Sequence, residues 1–139
     1  TYRPFGSPIE SPAGIQGKAT QFVMILDALQ LRLLEKIRSD LAGYSVVRST
    51  SPLDNRAIWL EIFAGGIHKG NSCQTLLKKL NINCKEVAGL GNDYNDIDFL
   101  DICAEAYLVA NAPVNLQRHY KLVKSDKEEG FTEFISKVL

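Results

Sequence analysis

Four oxygen-bearing side chains crowd a single turn: Asn92, Asp93, Asn95 and Asp96 follow Gly91 and a short apolar run, Val87 to Leu90. Carboxylates set this close repel one another unless a cation or solvent relieves them, so the turn could hold a hard metal ion through oxygen. The same residue types also turn a chain and cap the helix that follows, and composition alone leaves both readings open. A calcium loop is excluded, because counting from Asp93 gives no Gly at the sixth position and no Glu at the twelfth. A second feature lies upstream. Lys69 follows Gly65, Gly66 and His68 at the entrance of a predicted helix, where a cation beside free backbone N–H groups suits an anionic ligand. A solvated surface lysine is the plainer reading of that segment alone. The order Lys69-Gly70 is the reverse of the Gly-Lys-Ser/Thr of a nucleotide-binding P-loop, which excludes that motif. His68 reads as a loop neighbour, not a catalytic base.

Periodicity supplies the elements that must position these side chains. Val87 to Leu90 predicts a buried strand, and Ile97, Leu100 and Cys103 predict a helix over about 96–104. That unit puts the acids at the carboxyl end of a strand, where α/β folds bind ligands. Ala106 to Ala110 predicts another buried strand, so strand, helix and strand form a right-handed parallel crossover. Asn111-Ala112-Pro113 opens a short helix to about His119, Lys121 to Val123 is a further short strand, and a helix over 130–139 turns Phe131, Phe134, Ile135 and Val138 inward. Upstream, residues 19–26 read as a strand. Asp27 caps a helix over 28–42 with Leu29, Leu33, Ile37 and Leu41 inward, and Gly43 stops it. Tyr44–Ser49 and Arg56–Phe63, parted by the turn-rich 51–55, predict an antiparallel hairpin. In its second strand Ile58, Leu60 and Ile62 share one face, Trp59 and Glu61 the other. A helix over 71–80 carries Leu76, Leu77 and Leu80 inward.

The chain has 139 residues, 45% hydrophobic and 23% charged, enough to bury a core. Lys plus Arg equal Asp plus Glu at 16 each, so no global field draws nucleic acid or an anionic membrane. Only Lys78, Lys79, Lys121 and Lys124 offer a basic patch, without interleaved aromatics, and no nucleic-acid partner is expected. Cys73, Cys84 and Cys103 have no C-x-x-C spacing and read as three reduced thiols. No apolar run reaches bilayer length and no signal peptide opens the chain, so a cytoplasmic location without membrane contact is expected.

Lys69-Gly70 opens a helix, Gly91-Asn92-Asp93-Tyr94-Asn95-Asp96 follows one strand, Asn111-Ala112 follows the next, and Glu128-Glu129-Gly130 precedes the last helix. In this order and spacing the chain resembles the carboxyl-terminal half of the haloacid dehalogenase superfamily, in its sugar-phosphatase-like branch with an inserted α/β cap. The resemblance implies an α/β fold. Residues 64–139 would be half of a Rossmann-like core of parallel strands with flanking helices, 17–63 the closing part of an α+β cap, and 1–16 a loop or tail.

The activity it implies is Mg²⁺-dependent hydrolysis of small phosphorylated metabolites, in which an aspartate attacks phosphorus and cations offset the repulsion between two anions. Lys69 would be the catalytic lysine, holding the phosphoryl oxygens together with Asn95. Asp96, and Asn92 or Asp93, would be direct or water-bridged metal ligands. The family's usual Gly-Asp is here Gly91-Asn92, with an acid one place later. Its nucleophile motif, Asp-x-Asp-Gly-Thr, has no counterpart in these residues. Asp96-Ile97-Asp98 has the acids but is followed by Phe99-Leu100. A portion of a longer hydrolase, inactive alone, is therefore expected, and a non-catalytic cation- or phosphate-binding module is the alternative. The strand ending at Leu90 would lack its neighbour, so another copy, the amino-terminal tail or a missing amino-terminal segment is expected to cover its edge. Tyr44, Arg48 and Trp59 are the cap-side candidates for substrate contact.

Overall fold

Alternation of buried and solvent-facing residues runs along β3 (Ala57–Ala64), where Ile58, Leu60 and Ile62 point to a core and Trp59 and Glu61 to the opposite face, as the period of two requires. The coordinates are a computed structural model that describes residues 17–51 and 57–139. The predicted tail over 1–16, and the turn beyond Ser51 with Arg56, lie outside the described residues. β3 is the middle strand of an antiparallel sheet, flanked by β1 (Gln21–Asp27) and β2 (Tyr44–Thr50) in the order β1-β3-β2. α1 (Leu33–Asp40) covers its apolar face, packing Leu34 against Leu26, Ile58 and Leu60.

α1 differs from the expected helix over 28–42. The Asp27 carboxylate accepts from Leu29 N–H at 2.8 Å, and Gln30 Oε1 accepts from Asp27 N–H at 3.0 Å, closing a separate 3₁₀ turn over Ala28–Gln30. The α-helix starts only at Leu33. Its register therefore shifts: Leu34 is the buried residue at 7% exposure, whereas Leu29 is 88% exposed and Leu33 is also exposed.

The second sheet is parallel, in the order β4 (Ala88–Gly91), β5 (Glu105–Val109), β6 (Lys121–Val123). Between its strands run α3 (Ile97–Leu100) and α4 (Val114–Gln117), and α5 (Gly130–Val138) follows β6. α3 is shorter than the predicted 96–104 helix: a 3₁₀ turn, Tyr94–Asp96, takes up its first residue, and it ends at Leu100, with a turn and a bend over 101–104. The core is Leu100, Tyr107, Leu108, Val109, Leu116, Val123 and Phe134, with the Tyr107 and Phe134 rings edge to face at 5.4 Å. Phe131, expected inward, is exposed. This is an α/β architecture with a parallel sheet flanked by helices, as predicted. On its outer side β4 has no strand partner among the described residues. Among the described residues no helix is long and apolar enough to cross a membrane.

α2 (Lys69–Leu80) begins two residues earlier than predicted, with Asn81 in the left-handed conformation (φ 54°) at its end. Leu76 and Leu80 are exposed, contrary to expectation, because α2 packs chiefly on α3 and the acidic turn. Gly70 is the point of closest approach: a Cβ there would strike the Asp98 carbonyl and side chain. Gly70→Ala should force the two helices apart and cost about 2 kcal/mol, read as a lower urea midpoint at unchanged slope. Cys73, Cys84 and Cys103 are all unpaired, and burial pushes the Cys103 thiol up to about 11.

Candidate functional site

The turn after β4 is built by its own carboxylates. Asp93 and Asp96 form a reciprocal cap: Asp93 Oδ1 accepts from Tyr94 N–H at 2.7 Å, and Asp96 Oδ2 accepts from the backbone N–H groups of Asn92 at 2.8 Å and Asp93 at 3.2 Å. Gly91 makes room for this, since a Cβ there would collide with the Asp96 Cβ and Leu100. Both acids are buried, Asp96 at 5% exposure. The capping reading of the turn is thus realised, and it coexists with a second contact. From the first turn of α2, the Lys69 Nζ donates to Asp96 Oδ1, joining two residues 27 positions apart. Packing of α2 on α3 brings this pair together, and His68, at the cap of α2, reinforces it with a 3.1 Å contact to Asp98 of α3.

Asp93 makes a contact that nothing in the sequence foretold. Thr50, the last residue of β2, donates from its N–H to Asp93 Oδ2 and from Oγ1 to Asp93 Oδ1 at 2.9 Å. Beside it the Arg48 guanidinium stacks 3.6 Å above the Tyr94 ring, while Tyr94 Oη donates to Asn115 Oδ1 at 2.8 Å. The edge of β2 is therefore clasped by the turn.

A cleft of about 240 Å³ opens between the first sheet and the entrance of α2, lined on one side by Val47, Glu61 and Phe63 and on the other by His68, Lys69 and, from the acidic turn, Asn95. Asn95 Oδ1 is buried and has no hydrogen-bond partner among the described residues. Cross-strand pairing explains the sheet's contribution. Val47 lies opposite Glu61 and Ser49 opposite Trp59, so these share the open face, whereas Arg48 lies opposite Leu60 on the side of α1. Arg48 and Tyr44 are thus turned from the Lys69 cleft. Arg48 instead lines a second hollow of about 290 Å³ with Leu34, Arg38 and Asp98.

The chemistry left for a cation follows from this accounting. A carboxylate offers about four acceptor sites. Asp93 uses three of them on Thr50 and Tyr94, and Asp96 uses three on Lys69, Asn92 and Asp93. Asn92 is exposed. No group of three or more His, Cys, Asp or Glu among the described residues forms a cage for an ion. Mg²⁺ needs no such cage, since it takes one or two carboxylates and keeps water and substrate oxygens. Asp93 and Asp96 each keep one acceptor site open and the exposed Asn92 keeps its side-chain oxygen, so all three fit that modest demand.

Comparison with known proteins agrees with the architecture. Residues 10–135 match the family model for haloacid dehalogenase-like hydrolases. A presumed phosphatase of Streptococcus pyogenes serotype M6 is 27% identical over 95 residues, which cover 68% of this chain and 33% of that protein. Among solved structures, SMU.1108c of Streptococcus mutans UA159 superposes with a TM-score of 0.77 at 23% identity, over 93% of this chain and 48% of its own. The subclass IIB sugar phosphatase BT4131 does so at 0.68 and 14% identity, over 84% and 42%. The chain spans about a third of the length of the curated relatives it matches and under half of these structures.

Proposed function

Since the chain belongs to the haloacid dehalogenase-like hydrolase family, we propose that it carries the phosphate- and cation-holding arm of a phosphoric monoester hydrolase for small phosphorylated metabolites. The observation that carries this reading is the convergence of Lys69 and Asp96 beside a cleft. Lys69 acts as a fixed positive charge on the phosphoryl oxygens, held in place by a carboxylate whose other oxygen is anchored to two backbone N–H groups. Asn95 adds a polar group on the same wall. Asp96 and Asn92 would hold Mg²⁺, which when bound supplies charge neutralisation for the phosphate ester. Asp93, tied to Thr50 and Tyr94 but with one acceptor site open, is the alternative to Asn92.

We place no nucleophile in this chain. Asp98, the second acid of Asp96-Ile97-Asp98, sits on α3 and is paired with His68. The attacking carboxylate would come from outside these 139 residues, and the outer edge of β4 is where an added strand, from such a segment or another copy, would pair. The test is p-nitrophenyl phosphate hydrolysis with Mg²⁺ by this chain alone and by a polypeptide extended at its amino end. Turnover only in the extended form, lost in Lys69→Ala, supports the hydrolase. Phosphate binding without turnover in both forms would leave a non-catalytic binding module, and no phosphate binding in either would overturn both readings.

A further inference from the structure

We infer that Glu61 selects the leaving group at the Lys69 cleft, admitting phosphate esters whose skeleton offers hydroxyl or ammonium hydrogens and rejecting those with a second anionic group. The inference deepens the reading above and rests on it. Glu61 lies in the middle of β3 on the face away from α1, and it lines the same cleft as Lys69 and Asn95. Its neighbours in that lining, Val47 and Phe63, are apolar, so an acid stands out beside them. It is only partly exposed and has no Lys, Arg or His partner among the described residues. Its orientation is nonetheless fixed, for the hydroxyl of Ser49, itself buried, donates to Glu61 Oε1 at 2.9 Å.

That one bond leaves the carboxylate with acceptor capacity and no donor to fill it. Asn95, whose buried Oδ1 has no partner among the described residues, lies on the Lys69 wall. The cleft thus sets a cation on one wall against an unfilled carboxylate acceptor on the other. A ligand satisfies both when it carries an anion at one end and hydrogen-bond donors at the other. A carboxylate or second phosphate at the far end would meet Glu61 as a like charge in a partly desolvated space. Exclusion by an unpaired or repelled group discriminates more sharply than added attraction does.

The experiment is calorimetric titration of the chain with inorganic phosphate, glucose 6-phosphate, glucosamine 6-phosphate and 6-phosphogluconate. The three esters share a skeleton and differ in charge away from the phosphate. With affinities expressed relative to inorganic phosphate, the neutral and cationic esters should bind about tenfold or more tighter than 6-phosphogluconate. Glu61→Gln keeps the shape and the Ser49 contact, and should shrink that gap to about twofold. A gap unchanged in Glu61→Gln overturns the inference. Should that variant fail to fold, the native ranking decides: 6-phosphogluconate binding as well as glucose 6-phosphate overturns it. Inorganic phosphate binding that depends on Lys69 while the esters show no ranking sinks the selection by Glu61 alone. Absence of any phosphate binding sinks the underlying site as well.

Discussion

Replacing Lys69 with alanine should weaken binding of inorganic phosphate about tenfold to a hundredfold while lowering stability by only about 1 kcal/mol, since a charged hydrogen bond contributes about 1.5–3 kcal/mol to a ligand. The two effects separate because of where each end of the pair sits. The lysine is 52% exposed at its side chain and its charge is screened in the free protein, so the ion pair adds little to folding. Asp96 is buried, but it keeps its two backbone N–H donors when the amine is gone. A bound phosphate loses a formal charge with no replacement. Lys69→Arg should not restore full affinity, because a planar fork does not occupy the place of a compact ammonium. Titration calorimetry together with a thermal melt checks both halves, and unchanged phosphate affinity in Lys69→Ala would remove this residue from the site.

The largest effect on stability is expected at Asp93. Asp93→Ala removes the acceptor of three hydrogen bonds at once, leaving Thr50 N–H, Thr50 Oγ1 and Tyr94 N–H to find others in a part-buried seam. With about 1–3 kcal/mol for an unsatisfied buried donor and about 1 kcal/mol for a lost cap, the sum is about 3 kcal/mol. That corresponds to a fall in melting temperature of about 10 °C for a domain of this size. Asn92→Ala, one residue away and exposed, should leave the melting temperature where it was and instead weaken Mg²⁺ binding. Thr50→Val combined with Asp93→Asn in a double-mutant cycle should give a coupling of about 1 kcal/mol. If Asp93→Ala melts like Asn92→Ala, the tether has no energetic weight.

The parallel sheet was legible because its strands, from Ala88 to Leu90 and Ala106 to Val109, are apolar without interruption, a pattern that only burial on both faces explains. β3 was legible for the opposite reason, its strict alternation. α1 was misread by one position: its leucines satisfy two overlapping stripes, and the choice between Leu33 and Leu34 was made by a separate turn at Asp27 that fixes where the helix starts. Exposure of Leu76 and Leu80 was illegible too, since an apolar pattern says which face could be buried and not what lies against it. In the site, Lys69 and the acidic turn could be proposed from residue type and position at element ends. Thr50 could not. It is an ordinary strand-ending threonine, and its partner lies 43 positions away. Glu61 was likewise only a polar residue on an outward face until the cleft was formed around it.

The clasp between Thr50 and Asp93 also couples the two halves of the molecule. Holding together residues this far apart in sequence carries a loop-closure entropy that local turns avoid. Thr50 offers its N–H and hydroxyl as the last residue of β2, so the clasp and the antiparallel pairing of β2 with β3 support one another. The acidic turn is closed locally by the Asp93–Asp96 cap and takes its bearing on the neighbouring sheet from Thr50.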